Sequence, residues 1–308
     1  MSKRGADLTA AGDPATNRLN QDKTAQTGLK GITGMTHPSR IVRTLNIVLG
    51  AVSLLLGAAL TGSIANAQDD PWPAARLAIV IDDLGYDRRR GLQAINLPGR
   101  LTVAVMPHTP NARFLANAAH DAGREIILHQ PMQGSDFRHK SSSPKGILTL
   151  DMGPSDIRYA LRQALTSVPH CIGINNHTGS TLTQTRSNMY WLMQQVASTD
   201  LYYLDSRTTT ETVAGEAADA WGVPFVSRDV FLDHHNDRAS IARQFRYAVK
   251  LAKRRGHAVL IAHPRPLSLE LLAQELPRLN PDEVELVHAS ELIGVRSRLN
   301  PGRTAAGQ

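Results

Sequence analysis

Leu77-Ala78-Ile79-Val80-Ile81-Asp82-Asp83-Leu84-Gly85 is an apolar run that delivers two adjacent carboxylates to its carboxyl end. Six further short apolar runs end in groups capable of chemistry: Leu101 to Met106 at His108, Glu125 to Leu128 at His129, Cys171 to Ile174 at Asn175, Asn176 and His177, Leu201 to Leu204 at Asp205, Phe225 to Val226 at Asp229, and Ala258 to Ala262 at His263. If all seven are parallel strands, their terminal groups converge on one rim. That is how a (β/α) barrel assembles a catalytic mouth.

Helical patterns separate the runs, as βαβ units with right-handed crossovers require. Asn111 caps a helix from Ala112 to Ala122 that Gly123 stops, and a second begins at Ser155 and ends before Pro169. Ser187 to Ala197 and Thr212 to Trp221 follow, the latter stopped by Gly222. Asp237 caps the longest, Arg238 to Arg255, which places Ile241, Phe245, Ala248, Val249 and Ala252 on one face. Its basic end complements the helix macrodipole, so it reads as a helix terminus and not as a polyanion patch. Leu267 to Leu276 is a sixth helix, and Val284 to Val287 an eighth strand candidate. The expected fold is α/β, barrel-like and single-domain. Gln133 to Gly146 lacks any period and is expected to form a loop over the mouth.

The amino-terminal region reads as targeting. Residues 1 to 34 are polar and without period, an expected disordered segment. Arg40 and Arg43 then precede an apolar stretch, Ile47 to Leu60, followed by Ala65-Asn66-Ala67, the small-x-small pattern of a signal peptidase site. The expectation is a signal peptide with Met1 or Met35 as its start, or an uncleaved inner-membrane anchor. Residues 1–67 would be the export region, 68–298 the folded domain and 299–308 a flexible tail. The formal net charge is +7, but residues 1–67 carry seven Lys/Arg against three Asp/Glu, which leaves only +3 for the remainder of the chain. So weak a surplus gives no support to a nucleic-acid partner. The single cysteine, Cys171, excludes an internal disulfide and reads as a buried strand residue.

The ordered motifs Ile81-Asp82-Asp83-Leu84-Gly85, Leu128-His129-Gln130-Pro131-Met132, Asn175-Asn176-His177-Thr178-Gly179-Ser180, Leu204-Asp205-Ser206-Arg207-Thr208, Arg228-Asp229-Val230-Phe231-Leu232-Asp233 and Ile261-Ala262-His263-Pro264 resemble the divergent polysaccharide deacetylase family, a relative of the NodB-type carbohydrate esterases of family 4. The resemblance covers about Arg76 to Gly294. It implies a NodB-like deformed (β/α) barrel of about seven strands and metal-dependent removal of acetyl from N-acetylated sugars. In the NodB-type enzymes the first motif pairs an aspartate base with an aspartate ligand, matching Asp82 and Asp83. Their second motif carries two histidines four apart. Here only His129 is present, and Gln133 holds the second position. The arginine and tryptophan motifs of those enzymes are not evident.

Hydrolysis of an amide or ester needs a nucleophilic water, stabilisation of an oxyanion and a proton for the leaving group. One divalent cation, zinc being the expected ion, would be held by Asp83, His129 and His177, with His177 standing in for the missing histidine. Asp82 is the candidate base and His263 the candidate acid. Both aspartates can reach the mouth only where the strand has ended, and Gly85 permits that turn. Asn175 and Asn176 are read as orienting a ligand, and Asp205 and Asp229 as orienting His263 or contacting sugar hydroxyls. Asp233, His234 and His235 form a weaker second cluster.

The expected protein is therefore an exported deacetylase, periplasmic or anchored at the periplasmic face of the inner membrane, acting on an N-acetylated envelope glycan. A non-catalytic descendant that binds glycan or an envelope protein, and a metallohydrolase with another acyl substrate, stay open at this point. Aromatic residues make up only 5% of the chain, and Trp191 and Trp221 fall on helices as expected core, leaving Trp72 near the processed end. This argues against a long sugar-stacking groove.

Overall fold

A computed structural model describes residues 74–137 and 144–294. The expected targeting region, Trp72, the serines at 141–143 and the expected tail lie outside the described residues. Among the described residues no helix is long and apolar enough to cross a membrane.

Among the described residues nine strands form one all-parallel sheet: β1 (Ala75–Leu84), β2 (Thr102–Val105), β3 (Glu125–Met132), β4 (Gly173–Thr178), β5 (Tyr202–Asp205), β6 (Phe225–Ser227), β7 (Val230–Phe231), β8 (His257–Ala262) and β9 (Val284–Val287). Their lateral order is β6-β5-β4-β3-β2-β1-β8-β7. β9 pairs with β1 at Ala75 to Ala78, below the point where β2 joins it at Val80. The edge strands β6 and β7 are separated in the chain only by Arg228 and Asp229. Three Cα steps span at most about 11 Å. The two edges of the sheet must therefore lie close together, which curls the row into a nearly closed barrel.

Seven α-helices among the described residues connect the strands: α1 (Arg88–Ile95), α2 (Ala112–Asp121), α3 (Pro154–Ser167), α4 (Arg186–Val196), α5 (Ala214–Trp221), α6 (Arg238–Arg255) and α7 (Pro266–Glu275). Asp237 caps α6 as expected, accepting from Ser240 N. Asn111 makes no side-chain cap; its amide donates to the carbonyl of Tyr86. α1 has no counterpart among the expected helices, and neither has β7 among the expected strands, since it begins only after Arg228 and Asp229, beyond the Phe225 run.

Strand alternation sorts the core into two apolar layers. Leu77, Ile79, Ile81, Val103, Val105, Ile126 and Leu128 pack outward among the helices. Ala78, Val80, Ala104, Ile127, Leu204, Val226, Val259 and Ile261 fill the barrel interior together with Val287, Ala289 and Leu292. The same alternation, continued one or two residues further, aims Asp82, His129, Asn175, His177, Ser206 and His263 inward above an apolar plug.

The opposite end is closed by a polar latch. The Glu125 carboxylate accepts from Thr102 Oγ1 at 2.9 Å, Tyr202 Oη at 2.8 Å and Ser290 N at 3.2 Å, and also from Ser290 Oγ. It ties the turn Ala289–Leu292 across the barrel floor.

Two expectations for single residues fail. Cys171 precedes β4 and is half-buried, its thiol donating to the carbonyl of Val168 at 3.2 Å, because the strand begins only at Gly173. Trp221 is 40% exposed at the last position of α5.

Two outcomes follow from this packing. Glu125→Ala leaves four donors, those of Thr102 and Tyr202 buried, without their acceptor and is expected to cost about 2–4 kcal/mol in urea unfolding, with the rim groups unaffected. Burial pushes the Cys171 thiol up to about 12. Alkylation at pH 8 should then run about a thousandfold slower than for an ordinary thiol and accelerate as pH rises, because only the thiolate reacts.

Candidate metal centre and acid–base site

The site begins with a backbone anomaly on β1. Asp83 has φ +62°, in the left-handed region that disfavours side chains. The pairing of β1 with β2 shifts register between Ile81 and Leu84 at the same place. Asp82 keeps the inward parity of Ala78 and Val80, and the twist at Asp83 turns the second carboxylate into the same cavity. The turn expected at Gly85 thus begins two residues earlier, and Gly85 continues it with φ +133° while allowing close approach of the next loop, since a Cβ on it would lie 2.1 Å from Thr109 Oγ1.

His129 and His177 lie within strands, not past their ends as the apolar runs implied, because β3 continues to Met132 and β4 to Thr178. Adjacent strands pair His129 with Asn175 and Pro131 with His177. Asp83 Oδ1 is 3.1 Å from His129 Nε2 and 2.9 Å from His177 Nδ1, and those two nitrogens are 3.1 Å apart. Ligands about 2.0–2.1 Å from a tetrahedral zinc would stand about 3.3 Å from one another. Gln133, at the position of the missing histidine, accepts from Leu150 N and takes no part in this group.

The hydrogen bonding of Asn175 decides what the ligand atoms can be. Its amide nitrogen donates to Asp82 Oδ1 at 2.9 Å and Ser206 Oγ at 3.2 Å, so its oxygen must accept from His129 Nδ1 at 2.7 Å. His129 Nε2 in the neutral ring is thus a lone pair aimed at the Asp83 carboxylate. Such a contact holds together only with a proton or a cation between the two atoms. Asp83 Oδ1 is itself buried without a well-formed hydrogen bond. A buried oxygen in that condition calls for an unseen partner. The three side chains fit a divalent cation.

Electrostatics separate the two aspartates. Burial pushes Asp82 above the usual carboxylate range, and His129 and His263 only partly oppose it. Burial acts on Asp83 in the same sense, but His129 and His177 overwhelm it and hold Asp83 far below that range. His129 is raised to about 9, because Asp82 and Asp83 outweigh the lowering by burial. One carboxylate is suited to accept a proton and the other to remain charged.

His263 faces the group from β8, with Nε2 at 3.8 Å from Asp83 Oδ2. Its Nδ1 lies 2.8 Å from Asp233 Oδ1, while Asp233 Oδ2 accepts from the His263 backbone at 2.9 Å and Ser268 Oγ at 2.7 Å. Burial lowers His263, but Asp233, Asp82 and Asp83 together raise it. Asp233 therefore performs the orienting role expected of Asp205 and Asp229. Asp205 has outward parity beside Tyr203 and accepts from Arg207 N at 2.8 Å. Asp229 accepts from Val259 N and faces Arg255 at 3.6 Å, well below the rim. Asn176 also points outward, and its oxygen accepts from Ser206 N at 2.9 Å, so it fixes the end of β5 and not a ligand. Asp233 was legible only as part of a His-rich cluster. The missing clue was a strand of two residues, which gives Asp233 the inward parity of Phe231.

The sequence matches the family described as divergent polysaccharide deacetylase over residues 79–293. The chain belongs to the divergent polysaccharide deacetylase family. A relative in Escherichia coli K12, the uncharacterized protein YibQ, is 39% identical over 227 residues, covering 74% of this chain and 70% of that one. An uncharacterized protein of Haemophilus influenzae is 36% identical over 218 residues, covering 71% and 76%. The uncharacterized protein ATU2773 of Agrobacterium tumefaciens C58 shares the fold with TM-score 0.68 at 22% identity, covering 72% of this chain and 90% of that one. This deacetylase family barrel is thus the frame on which the Asp83, His129 and His177 group is held.

Because Asp83 is strained, its replacements should separate backbone from ligand effects. Asp83→Gly and Asp83→Val both remove the carboxylate and should both weaken binding of a divalent cation in equilibrium dialysis. Asp83→Val should be less stable than Asp83→Gly by about 1–3 kcal/mol in urea titrations, since only glycine adopts the positive φ freely.

Proposed function

We propose that the protein is an exported, metal-dependent hydrolase that removes acetyl groups from an N-acetylated envelope polysaccharide of the peptidoglycan type, working in the periplasm. The observation that carries this reading is the convergence of Asp83, His129 and His177 on one point, flanked by a buried carboxylate and an Asp-paired histidine. A divalent cation held there, zinc in our reading, would supply Lewis acidity to water and to the acyl oxygen.

The rest of the reaction belongs to the chain. Asp82, anchored by Asn175 and raised by burial, takes a proton from the attacking water as its oxygen bonds to the acyl carbon. His263, held by Asp233, presents Nε2–H to the sugar nitrogen. The C–N bond breaks as that proton is delivered, releasing acetate and a free amine. The apolar plug beneath the group keeps bulk water away on one side, which strengthens each of these interactions.

Acetate release from peptidoglycan fragments and N-acetylchitooligosaccharides by the zinc-loaded protein is the decisive measurement. Asp82→Asn should lower kcat by about 10²–10⁴-fold with zinc retained. His129→Ala and His177→Ala should each lose the zinc, and retention in both would remove the proposed site. Asp233→Asn should lower kcat with little change in KM, since it acts through His263. Glycan binding without acetate release in the zinc-loaded protein would overturn the enzyme reading in favour of a binding protein.

A further inference from the structure

On the same rim, outside the acid–base group, lies an open groove of about 1010 Å³ whose lining includes His108, Lys145, Asp151, Asp156, Tyr159 and Gln163. That volume is at the upper end of the roughly 300–1,000 Å³ typical of ligand clefts. We propose that this groove is a carbohydrate subsite that holds sugar units of the same glycan chain beyond the one being deacetylated. The inference rests on the glycan reading above and extends it to a polymeric substrate.

Position is the first argument. His108 follows the carboxyl end of β2, and the neighbouring Thr109 packs against Gly85, two residues from Asp83. The far wall is the loop after β3, where Gln130, next to His129, donates to the carbonyl of Gly146 at 2.8 Å. Helix α3 begins on this same side of the barrel, because a helix that follows a parallel strand runs back from the strand's carboxyl end.

Chemistry is the second. Tyr159 is 67% exposed, a rigid aromatic face of the kind on which a sugar ring can stack. The side chains of Lys145, Tyr159 and Gln163 and the ring of His108 form no hydrogen bond with another described residue. Asp151 and Asp156 add acceptors beside these groups. Mixed donors and acceptors around an aromatic face suit a neutral polyhydroxylated ligand better than an ion, since each hydroxyl both donates and accepts.

Strain is the third. His108 has φ +58°, and its ring lies so near Gly146 that a Cβ there would come within 2.9 Å of it. Among the described residues five non-glycine residues have positive φ, and of these Asp83, His108, Thr178 and Arg207 all follow or end strands at the rim. Strained backbone gathers at functional sites. His108 is the member of this set that faces the groove.

The test measures binding of N-acetylchitobiose and N-acetylchitopentaose to the full-length protein by calorimetry, alongside KM for acetate release from each. The pentasaccharide should bind more tightly than the disaccharide. Tyr159→Ala should shrink that advantage about tenfold, as for one lost stacking contact, while Tyr159→Phe keeps it. Tyr247→Ala, on the exposed face of α6, is the control for loss of a surface aromatic. An unchanged length dependence in Tyr159→Ala, with acetate still released, would overturn the subsite and leave the deacetylase standing. Tyr159-dependent binding of the long chain without acetate release would support the subsite and overturn the deacetylase. Failure of either sugar to bind or react would overturn both.

Discussion

Everything at the mouth depends on β1 turning left-handed at Asp83. On an ordinary strand consecutive carboxylates face opposite layers, and one of these two would be buried among the helices without a partner. A positive φ at an aspartate costs about 1–3 kcal/mol. β1 is the strand best able to bear it, since it pairs with β2, β8 and β9 and its side chains Leu77 to Ile81 are wholly buried. The pairing with β2 absorbs the distortion as a register shift, and the pairing with β8 stays regular to Ile81.

The second constraint is the way Asn175 distributes its hydrogen bonds. One side chain orients the proposed base and one ligand at once, donating to Asp82 and accepting from His129. Two neighbouring carboxylates would otherwise be free to exchange roles. With Asn175 fixed on Asp82 and two imidazoles fixed on Asp83, burial wins at the first and electrostatics at the second. The division between a proton acceptor and a permanent anion is thereby built in before any substrate binds.

Much of this was readable in the residues. Each apolar run from Leu77 to Ala262 supplies a strand, and Asp82, Asp83, His129, His177 and His263 gather as their positions implied. What the runs could not convey was parity. Asp205 and Asn176 sit at the same rim as Ser206 and Asn175, yet one residue of displacement sends them to the outer layer. Asp229 and Asp233 were separable only by knowing that the chain breaks between Ser227 and Val230. A strand of two residues has no periodicity to detect. Nor could composition foretell Tyr159: a low aromatic content says nothing about where the few rings stand.

In the proposed metal site, His177 on β4 takes the place that the resemblance gives to a second histidine on β3. The resemblance expects a second histidine four residues after His129, and Gln133 occupies that place, bonded instead to Leu150 N. Neighbouring strands lie about 4.8 Å apart, so an inward residue on β4 is as near to His129 as a later residue on β3. The register His129 with Asn175 and Pro131 with His177 puts the replacement one inward step above the pair, and its ring reaches back to within 3.1 Å of His129 Nε2. A barrel that aims alternate residues of every strand at one mouth can therefore move a ligand sideways without moving the point where the ligands meet. Motif spacing along the chain is then a weaker criterion for the site than inward parity across adjacent strands.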